Sequence, residues 1–189
     1  FHAICLNFLK AQGVPVFLLS DREAKELAEQ VSGGLDVSVS RFLQQVSMKK
    51  AGVTTGLEEQ ENWQQAYLAY EALKQERKVF DFDDLLLETL HILQAGEGTW
   101  NQSFTYLMVD EFQDINPVQY ELIRLWNQNG RELFVIGDPD QSIYGFRGSN
   151  AACFDQLKAE FPDLEQIKLV ENYRSYAPIL KAAQAVIAE

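Results

Sequence analysis

Three short segments of this chain carry residue types that could do chemistry together. In YLMVDEFQDINPVQ, Tyr106 to Gln119, four mostly apolar residues run directly into Asp110 and Glu111. A strand edge holds such carboxylates rigidly, which suits binding a cation or activating a water. In GDPDQSIYGFRGSN, residues 137–150, a strand end is followed by two aspartates, Gln141, the aromatics Tyr144 and Phe146, and Arg147. In ENYRS, residues 171–175, Tyr173 and Arg174 join a ring suited to stacking on a base with a guanidinium suited to a phosphate. Taken singly, each segment has a plainer reading: an acidic helix N-terminus, a glycine-rich turn, a surface Tyr-Arg pair.

The elements around these segments place all three on one rim. YLMV reads as a strand, and Asn116-Pro117 caps and opens a helix through Trp126. Leu133 to Ile136 reads as a second strand, ending in Gly137-Asp138. A helix near Ala151 to Phe161, a strand IKLV and a helix from Pro178 to Ala188 follow. Strand–helix–strand order with continuously apolar strands predicts a parallel α/β sheet, whose ligands bind at the carboxyl ends of the strands.

Upstream, residues 1–10 read as a helix with Cys5, Phe8 and Leu9 on one face, and VFLL at 16–19 as a short strand. Ser20 and Glu23 form a capping box that opens a helix ended by Ser32-Gly33-Gly34. Residues 36–80 lack strand runs and read as an inserted helical lobe, with Trp63, Ala66, Tyr67, Tyr70 and Leu73 on one face. DFDDLLLETLHIL, 81–93, is a helix whose first-turn acids suit the helix dipole, so Asp83 and Asp84 read as capping and scaffold groups. The expected division is 1–35, 36–80 as an inserted lobe, 81–165, and 166–189 as the start of a further domain.

The net charge of -12 by itself opposes nucleic-acid binding, which rests on Lys and Arg. Its distribution changes that reading. From Asp36 to Lys78 six cations balance six acids, and Val37 to Leu57 holds three cations (Arg41, Lys49 and Lys50) with no acid. This stretch reads either as a local basic face or as a solvated helix surface. Cys5 and Cys153 lie far apart without metal-site spacing, which predicts reduced core thiols and a cytoplasmic setting. No apolar run is long enough to span a membrane, and no secretion leader is evident.

Asp110-Glu111 after an apolar strand has the layout of a Walker B site. There one carboxylate holds Mg²⁺ and the next orients and deprotonates the attacking water. With the strings DEFQD, GDPDQSIYGFRG and NYRS in this order and spacing, the chain resembles the superfamily 1 DNA helicases of the UvrD, Rep and PcrA type. FHAICLNFL at the start and FDFDDLL around Asp83 extend the resemblance over essentially the whole sequence.

The resemblance implies a partial RecA-like, P-loop NTPase-type parallel sheet flanked by helices, with a small inserted helical subdomain. It implies ATP and Mg²⁺ as cofactors, and single-stranded DNA and duplex junctions as partners. Asp110 would bind Mg²⁺, Glu111 activate the water and Gln141 sense the γ-phosphate. Tyr173 would stack on adenine, and Arg174 act as an arginine finger. Tyr144 and Phe146 would lie against DNA bases, Arg147 would link the nucleotide and DNA sites, and His2 would touch the strand. The family often has Trp where Phe146 stands. His2 reads equally well as a helix-start histidine with no ligand.

The family's phosphate-cradling GxxxxGK[ST] loop is absent, since none of the eleven glycines precedes a lysine. The chain therefore reads as an internal piece of a helicase, inactive as an ATPase by itself and completed by the remainder of the helicase chain. Two other classes stay open. One is a helicase-like module that grips DNA or a partner without hydrolysis. The other is a metal-dependent nuclease using Asp110, Glu111 and Asp138.

Overall fold

The structure, a computed structural model, describes residues 1–54, 56, 60–96, 104–128, 132–142 and 152–187. Helix α1 (His2–Ala11) buries Cys5, Phe8 and Leu9. They meet Leu85, Leu86 and Leu93 of α5 (Phe82–Gln94) and Val118, Leu122 and Trp126 of α6 (Pro117–Asn127). Phe1 stacks on Trp126 with ring centroids 5.7 Å apart. Helix α6 begins where the sequence predicts: Asn116 and Gln119 form a capping box, and Pro117 takes a first-turn position that needs no N–H.

A second core joins α2 (Asp21–Ser32), α3 (Val39–Lys50) and α4 (Glu61–Arg77). Leu27 and Ala28 of α2 meet Phe42 and Val46 of α3 and Trp63, Ala66 and Tyr70 of α4. The indole N–H of buried Trp63 donates to Gln45 Oε1 at 3.0 Å, so its burial leaves no donor orphaned. Helix α2, capped by Ser20 and Glu23 as predicted, thus packs with α3 and α4.

The two cores meet at a charged seam. Lys50 and Lys74, whose side chains are 1% and 2% exposed, each lie within salt-bridge distance of Glu71, Asp81 and Asp84. Asp81 is also the N-cap of α5, in a capping box with Asp84. The two aspartates therefore order the helix start and neutralise the buried ammonium groups. Asp83, half-buried beside them, has a carboxyl raised above the usual range by desolvation. Near the seam, Gly52 adopts φ +83, and a Cβ there would stand 3.1 Å from Pro117 Cβ.

The sheet is small. Among the described residues, β1 (Tyr106–Val109) and β2 (Glu132–Val135) pair in parallel, Leu107 opposite Leu133 and Val109 opposite Val135. Beneath them lie Phe112, Ile115, Tyr120, Ile123 and, from α7 (Ala152–Glu160), Cys153 and Leu157. Both cysteines are buried free thiols, as predicted, and burial raises both, Cys153 to about 11.

Two predicted strands are corrected. VFLL forms only a single parallel bridge, Leu18 to Phe80, closed by Leu19 N–H to Phe80 O and Phe80 N–H to Phe17 O, each 2.8 Å. IKLV is not a strand. Ile167, Leu169 and Val170 are 71–90% exposed, and no neighbouring strand takes their backbone groups among the described residues. The basic face between Val37 and Leu57 is also not an array of free cations. Lys50 is sealed in the seam, Lys49 lies over the rings of Trp63 and Tyr67, and Arg41 donates to Gln44. The final helix, α8 (Ala177–Ile187), matches its predicted position.

Candidate functional site

The carboxyl ends of β1 and β2 are locked together beyond the strands themselves. Ile136 N–H donates to Val109 O at 2.8 Å, and Phe112 N–H donates to Ile136 O at 2.9 Å. Between these bonds the chain turns sharply. Glu111 adopts φ 51, ψ 46, a left-handed conformation that costs a non-glycine residue about 1–2 kcal/mol. The turn leads into a single 3₁₀ turn, Phe112–Asp114, whose Phe112 is fully buried against Phe154 of α7. Cys153 Sγ donates to Phe112 O at 3.3 Å. The packed core thus holds the strained turn and leaves Asp110 and Glu111 exposed above it.

Gln113 ties the two strand ends together. It is 2% exposed; its Nε2 donates to Glu111 Oε2 at 2.7 Å, and its Oε1 accepts from Asp138 N–H at 3.0 Å. Ser142 Oγ donates to the Gln113 carbonyl at 3.3 Å. Gly137 makes room for the amide: a Cβ there would stand 2.6 Å from Gln113 Oε1. Asp138 caps the next 3₁₀ turn, Pro139–Gln141, accepting from Asp140 N–H at 3.1 Å on Oδ1 and from Gln141 Nε2 at 2.7 Å on Oδ2.

The structure therefore brings Asp110, Glu111, Asp138 and Gln141 together at one sheet edge, with Gln113 between them. Asp110 Oδ1 accepts from Glu111 N–H at 2.9 Å, and its Oδ2 has no protein partner among the described residues. An exposed carboxylate of this kind fits a hydrated divalent cation, which takes oxygen ligands. Both oxygens of Asp138 accept hydrogen bonds within its own turn. A second acidic group, Glu71, Asp81 and Asp84, already encloses the ammonium groups of Lys50 and Lys74.

Other predicted residues stand apart. Tyr173 is 93% exposed and Arg174 is exposed, in a turn where Asn172 Oδ1 accepts from the N–H groups of Arg174 and Ser175. Arg174 makes no ion pair among the described residues. His2 opens α1, half-buried edge-on to Phe82 with centroids 5.6 Å apart, and burial lowers its pKa. Tyr144, Phe146 and Arg147 lie outside the described residues. Gln113 was not among the predicted site residues. Its signal in the sequence was its place inside the string DEFQD.

Residues 20–162 match the family model for the UvrD/REP helicase N-terminal domain. The chain is 32% identical to the ATP-dependent DNA helicase PcrA of Leuconostoc citreum over 99% of its own length and 28% of that protein. It is 33% identical to the ATP-dependent DNA helicase Rep of Escherichia coli strain K12 over its full length and 31% of that protein. It is 39% identical to DNA helicase II of the same strain over 68% of the chain and 18% of that protein. The chain therefore spans less than a third of the length of these relatives.

Proposed function

The chain belongs to the UvrD/REP helicase N-terminal domain family, and from this premise we propose that it forms part of an ATP-dependent DNA helicase or translocase. The parent protein couples ATP hydrolysis to movement on single-stranded DNA and to duplex opening at junctions, in repair or replication in the cytoplasm. In this reading β1 and β2 belong to a RecA-like sheet and residues 36–80 to an inserted helical subdomain. The packing of α2 against α3 and α4 favours counting α2 with that lobe. Residues 166–189 begin the second motor domain. The observation that carries the proposal is Glu111, held by Gln113 beside the turn of Gln141 at the shared end of two parallel strands.

MgATP, when bound, supplies the phosphoanhydride and a metal charge that neutralises its oxygens. Asp110 would hold Mg²⁺, while one of its oxygens accepts from Glu111 N–H. Glu111 orients the water and takes its proton; one oxygen is fixed by Gln113, and the other has no partner among the described residues. Gln141 leaves Asp138 for the γ-phosphate. Tyr173 stacks on adenine, and Arg174 reaches the γ-phosphate. Tyr144, Phe146 and His2 contact the DNA strand, and Arg147 joins the nucleotide and DNA sites. In the full-length protein, Glu111→Gln is expected to lower DNA-stimulated ATP hydrolysis to a small residual rate while nucleotide still binds. Hydrolysis retained in that variant would refute the proposal.

A further inference from the structure

Gln113 is placed for a task that the carboxylates alone do not perform. Its amide is buried, and both ends are engaged: Nε2 holds Glu111 Oε2 at 2.7 Å, and Oε1 takes Asp138 N–H at 3.0 Å. A side-chain amide has one donating and one accepting end, so it can bridge a carboxylate and a backbone N–H without leaving either end unmatched. Beyond Asp138 the chain of bonds continues to Gln141 Nε2 at 2.7 Å. The left-handed turn at Glu111 and the missing Cβ at Gly137 both accommodate this bridge.

We infer that Gln113 is a positioning residue for Glu111, fixing one carboxylate oxygen and tying it to the 137–142 turn that carries Gln141. The inference rests on the reading of Glu111 as the base for water. The contacts of Gln141 and of Gln113 then meet at Asp138, one on its carboxylate and the other on its backbone N–H. The geometry thereby links the seating of the phosphate sensor to the orientation of the base.

The test is steady-state ATP turnover by the full-length protein with single-stranded DNA, comparing Gln113→Met, Gln113→Glu, Glu111→Gln and the Glu111→Gln/Gln113→Met double variant. Misplacing a catalytic group by about 1 Å can cost about 100-fold, so Gln113→Met is expected to lower kcat about 10- to 100-fold. KM for ATP should change by less than about twofold. Gln113→Glu separates positioning from folding. It keeps an oxygen for Asp138 N–H but turns a second carboxylate oxygen toward Glu111. Its kcat should fall at least as far, then recover toward acidic pH as protonation restores a donor. In the Glu111→Gln background, Gln113→Met should lower residual turnover no further, because both act through one group. Near-normal kcat in Gln113→Glu, a loss without recovery in acid, or losses that multiply in the double variant would overturn the inference. Full turnover by Glu111→Gln would instead remove the base reading, and the inference with it.

Discussion

Lys74 of α4 sets its ammonium 2.6 Å from Oδ2 of Asp84 on α5, with its own side chain 2% exposed. Lys50 of α3 reaches Oδ1 of the same carboxylate at 2.6 Å, and both lysines share Asp81 Oδ2 at 2.7 Å. The helical lobe is therefore fastened to α5 by two lysines sealed from water and three carboxylates that keep only a minor exposed edge. Removing one partner of a buried ion pair typically costs about 3–5 kcal/mol, because the remaining charges stay buried. Lys74→Met should accordingly loosen the seam. The expected result is faster hydrogen exchange in α4 and the first turn of α5, with α6 unaffected. Unchanged exchange in these peptides would show that the seam contributes little.

The same seam sets a pH dependence. Burial alone would raise Asp81, but Lys50 and Lys74 outweigh it and hold its carboxyl lowered to about 2. A carboxyl depressed in the folded state contributes stability above its unfolded value of about 4, and that contribution disappears as pH falls through the folded value. Lys50 is raised: burial opposes its charge, but Asp81, Asp84 and Glu71 prevail, so its contribution persists below about 10.4 and is lost above it. Half-buried Asp83, raised by desolvation, works in the opposite sense and softens the acid limb. Protection of α3 to α5 against exchange should thus be level from about pH 5 to 9 and decline from about pH 4 toward 2. A decline already complete at pH 5 would contradict the assignment.

What was legible in the sequence was mainly what is local. Ser20 with Glu23 and Asn116 with Pro117 announce helix starts because each signal is complete within a few neighbouring residues. Asp110 and Glu111 announce themselves by type, at the end of an apolar run. IKLV misled because an apolar run becomes a strand only when a neighbour takes its backbone groups, and sequence pattern does not reveal that neighbour. Lys50 looked like part of a basic face because its acceptors, Asp81 and Asp84, stand 31 and 34 residues away. Gln113 escaped for the same reason: its second partner, Asp138, is 25 residues distant.

Phe146 follows Gln141 by five positions in the sequence, and the proposed reading makes the first a ring that stacks on a base and the second the phosphate sensor. Losing a stacked aromatic costs about 1–3 kcal/mol per base. In the full-length protein, Phe146→Ala should weaken oligothymidine binding accordingly and uncouple hydrolysis from unwinding, while ATP turnover without DNA changes little. Fluorescence titration decides it: unchanged affinity together with unchanged unwinding would reduce Phe146 to packing.

Arg174 is exposed, held only through its backbone by Asn172 Oδ1 at 3.0 Å, and makes no ion pair among the described residues. An unpaired guanidinium on a turn is free to be recruited across a cleft, where charge spreads over the oxygens of a transferring phosphoryl group. An arginine finger there supplies about 10³–10⁵ in rate. The planar fork of donors makes that contact, and the point charge of lysine does not reproduce it. In the full-length protein, Arg174→Lys should lower single-turnover hydrolysis strongly while nucleotide affinity falls much less. ATP-driven closure of the two proposed motor domains should weaken as well, because the proposed contact of Arg174 would join them. Measuring both on one variant separates the roles: a loss confined to affinity would make Arg174 a binding residue, and near-normal hydrolysis would leave the NYRS segment a surface turn.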